Sequence, residues 1–83
     1  MAYKLVIPDK VTDSLLKIQK RYRDQILVAL KGLEQNPILG KKLWGRFNRY
    51  RSLRVGEYRI IYQIRASALL ILVIKIGNRQ GIY

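Results

Sequence analysis

The hydrophobic residues of this 83-residue chain change their spacing at Asn36-Pro37. Before that point they recur every three or four residues, as Val11 and Leu15 do, which predicts an amphipathic helix. The apolar residues over 26–33 have the same spacing and predict a second helix. The residue before a proline is disfavoured in the helical region, so the second helix should end at Asn36. The apolar residues that follow are spaced as in strands. Helices grouped together and followed by strands are typical of an α+β domain.

Four segments have the composition of strands: 3–7, 50–55, 57–65 and 69–76. Gly56 separates the second from the third, and its freedom to adopt positive φ favours a tight hairpin turn. The last segment is apolar on both faces apart from Lys75, as in a strand that is covered on both sides. The predicted fold is β-α-α-β-β-β, a two-helix hairpin on one face of a small, largely antiparallel twisted sheet. It forms a single domain over 1–83.

Residues 37–45 should connect the helices to the hairpin, because Gly40 and Gly45 permit turns. Within this connector we expect Leu43 and Trp44 to pack against the core. A lone tryptophan is more often a packing residue than a functional one.

The composition excludes several classes of protein. The chain has no cysteine, and it has no histidine, which is the commonest general base and metal ligand. Its longest apolar run, residues 68–74, falls short of the roughly 18 residues that a membrane helix needs. No secretion signal is visible at the N-terminus. We expect a soluble cytoplasmic protein with no metal, no small-molecule cofactor and no membrane partner.

Positive charge is the strongest global feature. The chain has 17 Lys and Arg against 5 Asp and Glu, a net charge of +12. Seven basic residues and one acid lie between Lys41 and Arg59. This clustering favours a polyanionic partner, above all a nucleic acid. A generally basic protein without such a partner is the alternative.

Strand alternation assigns the hairpin arginines to faces. Arg54 should share a face with Tyr50 and Ser52, and Arg59 should lie close to it across the turn. Like charges in such positions are destabilising, which an anion between them would relieve, and the planar arginine fork suits phosphate. The alternative is that Arg54 pairs with Glu57 while the other arginines are solvated.

Two segments resemble the RelE/ParE toxin superfamily of bacterial and archaeal toxin–antitoxin modules: LRVGEYRIIY, residues 53–62, and LVIKIGNRQGIY, residues 72–83. The order of elements, the Asn-Pro pair and the K-K-L-W-G connector also agree, so the resemblance covers nearly the whole chain. The RelE branch implies a ribosome-dependent mRNA interferase that cuts the codon in the ribosomal A site. The ParE branch implies inhibition of DNA gyrase, and some members of the fold lack catalysis.

The resemblance also implies site residues. Arg59 and Arg79 match the two arginines that contact the scissile phosphate in RelE-type toxins, and Arg54 matches a further basic position. Tyr83 matches a C-terminal tyrosine near the reacting groups. Contacts with RNA or the ribosome are expected from Lys41, Lys42, Arg46, Arg49, Tyr50, Arg51 and Ser52.

The chain departs from the RelE pattern at Tyr50 and Ser52, where relatives carry lysines, and at Asn78, where many carry histidine. A strong general base is therefore missing, although arginine can still stabilise the charge that develops on phosphorus. We expect a slow endoribonuclease that depends on the ribosome for positioning. The alternatives are a non-enzymatic inhibitor, of the gyrase-targeting ParE type or a catalytically inactive member, and a general RNA-binding module.

A protein partner is expected on two grounds. The apolar strand over 69–76 leaves one face without a predicted cover, and the hairpin is strongly cationic. An acidic, amphipathic antitoxin that folds as it binds would neutralise both features. The expected partners are thus a cognate acidic antitoxin, the ribosome and mRNA.

Overall fold

The computed structural model describes residues 3–78 of the chain. Two helices pack on one face of a mixed five-stranded sheet, which confirms the predicted α+β class. The helices are α1 (Asp9–Leu16) and α2 (Lys20–Gln35), and the strands are β1 (Lys4–Val6), β2 (Lys41–Lys42), β3 (Arg51–Val55), β4 (Tyr58–Arg65) and β5 (Leu70–Asn78). No helix within residues 3–78 has the length and apolar character needed to cross a membrane.

The helix α1 begins after Pro8, whose extended backbone (φ −60°, ψ 153°) directs the chain into the first turn. The Pro8 carbonyl accepts hydrogen bonds from the N–H groups of Val11 and Thr12, at 2.9 and 3.0 Å. Asp9 lies in this turn, where a negative charge is favourable to the helix dipole. The N-terminus of the helix is thus set by the proline and acid that the sequence supplies.

The helix α2 ends at Gln35, directly before the Asn36-Pro37 pair, as the sequence predicts. The joint between the helices lies at residues 17–19, a few residues earlier than the change of register around 20–23 indicated. Ile18 falls in this joint and still packs against the core. The predicted αα-hairpin is therefore confirmed with a shifted joint.

The hydrophobic core lies between the helix pair and the sheet. Its helical members are the apolar positions of the predicted stripes, and its sheet members come mainly from the two central strands. Burial of each such side chain contributes about 1.5–3 kcal/mol. The buried set is Val11, Leu15, Ile26, Leu30, Leu33, Ile60, Tyr62, Ile71, Val73 and Ile76.

The strands lie in the order β1-β5-β4-β3-β2. Only β1 runs parallel to its neighbour β5, and the other three pairings are antiparallel. Both helices and the strands β2, β3 and β4 lie between β1 and β5 in the chain, so this parallel pair has the long connection that it requires. The largely antiparallel sheet is therefore confirmed, with β4 at its centre.

A β-bulge interrupts the pairing of β4 with β5. Ile61 pairs with Lys75 and Tyr62 pairs with Val73, so Ile74 has no partner in the register. Val73 and Ile76 can therefore both be buried on the helix-covered face although they are three residues apart. Lys75 stays on the opposite face.

The connector differs from its prediction in two respects. Lys41 and Lys42 form the additional edge strand β2, paired with Ser52 and Arg51. The prediction that Trp44 packs against the core is wrong, because this side chain is 82% exposed. Leu43 is half-buried, but it lines a surface groove.

Candidate nucleic-acid interface

The face of the sheet that the helices leave uncovered, here called the open face, carries two arginines side by side. Arg54 on β3 pairs directly with Arg59 on β4, as the hairpin pattern predicts. Side chains of directly opposed residues lie on the same face, with Cβ atoms about 4.5–5.5 Å apart. Gly56 begins the two-residue turn with φ +59°, which fits the first central position of a type II′ turn. The turn thus sets the register that places Arg54 directly opposite Arg59.

A second set of paired residues crosses the open face from β2 to β5, and it has a lysine at each end. Lys41 pairs with Ser52, Ser52 with Ile61, and Ile61 with Lys75. Ile61 is only 5% exposed and separates the two ends. Sequence reasoning did not assign Lys75 to the site, although a single charge within an apolar strand was a signal that it faces away from the core.

A groove of about 310 Å³ lies over this part of the open face. We call it the basic groove. Its lining residues are Lys41, Leu43, Ser52, Arg54 and Arg59. Three of these five residues are cationic, and the Ser52 hydroxyl adds a hydrogen-bond donor. The groove is therefore suited to a phosphate group.

The alternative pairing of Arg54 with Glu57 does not form. Within residues 3–78 the structure shows no ion pair between these side chains, whereas Lys20 and Asp24 on α2 form one at 2.8 Å. Arg54 is exposed at the groove. Its positive charge is thus available to an incoming anion.

The predicted RNA-contacting residues divide between the two sides of the β2–β3 hairpin. Lys41 and Ser52 line the basic groove. Tyr50 lies beside Arg49 at a second hollow of about 180 Å³. The lining of that hollow is Lys42, Asn48, Arg49, Tyr50, Arg51 and Ile64.

Arg51 has a structural role that the sequence did not indicate. Its Nη1 donates a 2.7 Å hydrogen bond to the carbonyl of Gly40. The Gly40 N–H donates to the Tyr62 hydroxyl at 2.8 Å, and that hydroxyl donates to the Pro37 carbonyl at 2.6 Å. These bonds hold the connector where it enters β2, and so they position Lys41 at the groove.

The pKa of Tyr62 is raised above the ordinary tyrosine value of 10.0. Burial is the main cause, while the Gly40 N–H and the positive charge of Arg51 act in the opposite direction. Tyr62 is fully buried in the core cluster. It therefore stays protonated near neutral pH and serves the fold.

Two of the catalytic residues implied by the resemblance, Arg79 and Tyr83, lie outside the described residues. Arg46 is exposed on the loop after β2, with its guanidinium carbon 5.2 Å from the centre of the Phe47 ring. Residues 3–78 contain no cluster of three side chains of the kinds that ligate metals.

Comparison with known proteins identifies the family. The family model described as "ParE toxin of type II toxin-antitoxin system, parDE" matches residues 5–83. This chain belongs to that family of toxins. The resemblance to the RelE/ParE superfamily, first indicated by the hairpin and tail motifs, is thereby confirmed. No curated protein sequence matches this ParE-family toxin.

Solved structures of RelE toxins share the fold. The RelBE2 toxin–antitoxin complex of Mycobacterium tuberculosis superposes with a TM-score of 0.87 at 21% identity, covering 95% of this chain and all of that one. A free E. coli RelE variant with two arginines replaced by alanine superposes with a TM-score of 0.81 at 26% identity. The match covers 98% of this chain and 87% of that one. The archaeal RelE–RelB complex from Pyrococcus horikoshii superposes with a TM-score of 0.79 at 23% identity. The match covers 98% of this chain and 99% of that one.

Proposed function

We propose that this type II toxin is a ribosome-dependent mRNA interferase, which cleaves mRNA in the ribosomal A site and so inhibits translation in the cytoplasm. The observation that carries the proposal is the direct pairing of Arg54 with Arg59 in the basic groove. Two opposed arginines concentrate positive charge on one face of the sheet, and this charge attracts a polyanion. A phosphodiester carries the complementary charge, and it matches the arginine fork.

The arrangement suits RNA cleavage by the neighbouring 2′-hydroxyl. In that reaction the 2′-oxygen attacks phosphorus, the bond to the 5′-oxygen breaks, and charge accumulates on the phosphoryl oxygens in the transition state. Arg59 and Arg54 supply fixed positive charge at that point, which is the kind of stabilisation that can dominate catalysis. Lys41 at the groove edge holds the strand through its neighbouring phosphates.

Proton transfer is the weaker part of the chemistry. The chain has no histidine to act as a general base. Its arginines remain protonated and therefore cannot accept the proton of the 2′-hydroxyl. General acid–base catalysis is typically worth ~10²–10⁴-fold, whereas orientation can contribute more. We therefore propose that the ribosome orients the 2′-hydroxyl in line and that free RNA is a poor substrate.

The remaining roles are inferred from the resemblance to RelE toxins. Arg79 would contact the scissile phosphate together with Arg59, and Tyr83 would lie near the reacting groups. Lys75 extends the cationic surface beyond the groove, because it pairs with Ile61 on the same face. We propose that it contacts a phosphate further along the RNA.

A purified translation assay with mapping of mRNA 5′ ends tests this function. Arg59→Ala and Arg79→Ala should abolish codon-phased cuts, and Lys75→Ala should weaken them. Arg21→Ala, which removes an exposed arginine from α2, is the matched control and should cleave as the unaltered protein does. Full cleavage by either of the first two variants would contradict the proposed site, and absence of phased cuts by the unaltered toxin would contradict the function.

Inhibition of DNA gyrase is the second candidate function, and the match to the ParE family model favours it. The tyrosine and serine at positions 50 and 52, in place of RelE lysines, favour it as well. Incubation with gyrase and plasmid DNA separates the two candidates. Loss of supercoiling activity with intact mRNA would support the gyrase function.

We also propose that a cognate acidic antitoxin binds this toxin. The solved structures that it resembles include toxin–antitoxin complexes from M. tuberculosis and P. horikoshii. On this chain, the net charge of +12 and the 38% exposed Ile74 offer such a partner both charge and apolar surface. A search for a short acidic open reading frame beside the gene, followed by co-expression and co-purification of its product with the toxin, tests the pairing.

A further inference from the structure

We propose that Trp44 is a stacking platform for an unpaired base of single-stranded RNA, beside the basic groove. Its side chain is 82% exposed, the largest exposure among the large hydrophobic residues of the described chain. An exposed tryptophan forgoes the burial that usually stabilises this residue. This inference depends on the proposed function in one respect only, namely that the proposed function identifies the bound strand as mRNA or ribosomal RNA.

The loop that carries Trp44 is held by backbone hydrogen bonds. The Leu43 N–H donates to the Tyr50 carbonyl at 3.1 Å and closes the loop. Inside it, the Asn48 N–H donates to the Gly45 carbonyl at 3.2 Å, and Gly45 adopts φ +68°, which favours glycine. Because these hydrogen bonds restrain the loop, presenting the indole ring to a ligand costs less conformational entropy than it would from an unrestrained segment.

The charge around the loop attracts a polyanion. Six basic residues and no acid lie between Glu34 and Glu57. One of them, Arg46, follows Trp44 closely and lies against the Phe47 ring at 5.2 Å. Aromatic rings interspersed with cations are the combination that binds single-stranded nucleic acids, since the rings stack on bases while the cations contact phosphates.

These neighbours favour RNA over a protein as the ligand of Trp44. Lys42 and Arg46, on either side of it in the chain, are both exposed. A protein that covered the indole would also desolvate these cations, which is costly unless each finds a partner. An RNA strand brings a flat base and a charged phosphate together, so it satisfies the ring and the cations at once.

The platform is continuous with the groove. Leu43 lines the groove, and Trp44 is the next residue, so their Cα atoms are about 3.8 Å apart. The proposal is that a strand whose phosphate lies between Arg54 and Arg59 continues along this loop and stacks one of its bases on the indole. The platform would hold the strand in register relative to the reacting phosphate.

The fluorescence of the full-length protein tests the proposal directly, because Trp44 is the only tryptophan of the chain. The probes are a short single-stranded 2′-O-methyl RNA, which cannot be cleaved by its 2′-oxygen, the same strand with abasic sites, and a duplex of the same sequence. We expect strong quenching by the single strand and weak quenching by the other two. Equal quenching by the abasic strand would overturn base stacking.

Binding of the labelled single strand to variants provides the second measurement. Trp44→Leu should weaken the affinity roughly fivefold or more, whereas Trp44→Phe, which keeps a ring, should lose less. Val28→Ser, at a 74% exposed position of α2, is the control for loss of an exposed apolar side chain. Circular dichroism confirms that each variant is folded.

Unchanged affinity of Trp44→Leu would overturn the proposal. The proposal would also be overturned if the Trp44 fluorescence did not change on addition of RNA but did change on addition of an acidic amphipathic peptide. That result would assign Trp44 to a protein contact. Both measurements omit ribosomes. A failure of mRNA cleavage is therefore distinguishable from a failure of stacking.

Discussion

Tyr62 and Gly40 lie in such close contact that no side chain fits at position 40. A Cβ atom built on Gly40 would lie 2.6 Å from the Tyr62 hydroxyl oxygen, the same oxygen that accepts the Gly40 N–H. The backbone of Gly40 is ordinary, with φ −77° and ψ 155°, so glycine is required for space and not for its conformational freedom. The contact fixes the residue that precedes Lys41, and through it one side of the basic groove.

Gly40→Ala should destabilise the fold by about 1–3 kcal/mol, the usual cost of forcing extra volume into a packed site. The added methyl must displace the Tyr62 ring, which is fully buried. Urea denaturation, monitored by circular dichroism, measures the change in the free energy of unfolding. Weaker cleavage is expected as well, since Lys41 shifts with the connector.

Gly32→Ala is the matched control for this substitution. Its Cβ would meet only the Leu39 Cδ1 atom, at an ordinary 3.5 Å, within the helix α2. Alanine is preferred to glycine inside helices by roughly 0.5–1 kcal/mol, so this variant should be more stable than the unaltered protein. Equal effects of the two substitutions would contradict the steric explanation.

Tyr62→Phe should cost about 1–3 kcal/mol, because it leaves the Gly40 N–H and the Pro37 carbonyl without their partner. The ring remains, so the core is still filled. The free energy of unfolding at neutral pH measures the loss. A neutral result would mean that the two backbone groups find other partners in the folded state.

The same pair of proteins should differ in alkaline stability. Burial raises the pKa of folded Tyr62 above 10.0, so the folded state holds the phenolic proton more tightly than the unfolded chain. This stabilisation is complete below about pH 10 and is lost as the pH rises through the higher folded pKa. The difference in stability between the unaltered protein and Tyr62→Phe should therefore shrink above pH 10. If the difference in the free energy of unfolding between the two proteins stays constant up to pH 12, this prediction is contradicted.

Arg54→Gln should stabilise the folded protein while it weakens RNA cleavage. Removing one of two directly opposed cations relieves a repulsion worth roughly 0.2–1 kcal/mol at low salt. In ~1 M salt, where the Debye length is about 3 Å, the gain should nearly vanish. Thermal unfolding at the two salt concentrations measures this effect, and the translation assay measures the cleavage.

Arg54→Lys is the control for charge. It keeps the repulsion and should therefore leave stability almost unchanged, while it loses the planar fork. If Arg54→Gln is less stable than the unaltered protein at low salt, the two charges do not repel each other in the folded state, and this prediction is contradicted.

Local patterns predicted most of the fold because each depends on near neighbours in sequence. The end of α2 at Asn36-Pro37 follows from the steric restriction before proline. The pairing of Arg54 with Arg59 follows from a two-residue turn at Gly56, which allows one register. The helical period likewise predicted the core positions of α1 and α2.

Trp44 and Tyr50 show where local patterns are insufficient. Whether a connector side chain is buried depends on what lies opposite it, and the pairing of β2 with β3 turns Trp44 outward into solvent. The basic residues divide between the groove and the second hollow, and Tyr50 lines the second hollow while Ser52 lines the groove. No periodicity within the connector carries this information.

The sequence by itself determined the two helices, the hairpin and the juxtaposed arginines, since hydrophobic period, proline and glycine act through neighbouring residues. Only the tertiary structure decided which cations share a face. The bulge at Ile74 changes the alternation of β5, and it does so because Val73 and Ile76 must both enter the core. Lys75 thereby joins Lys41 on the open face, at a separation in the chain that no local pattern spans.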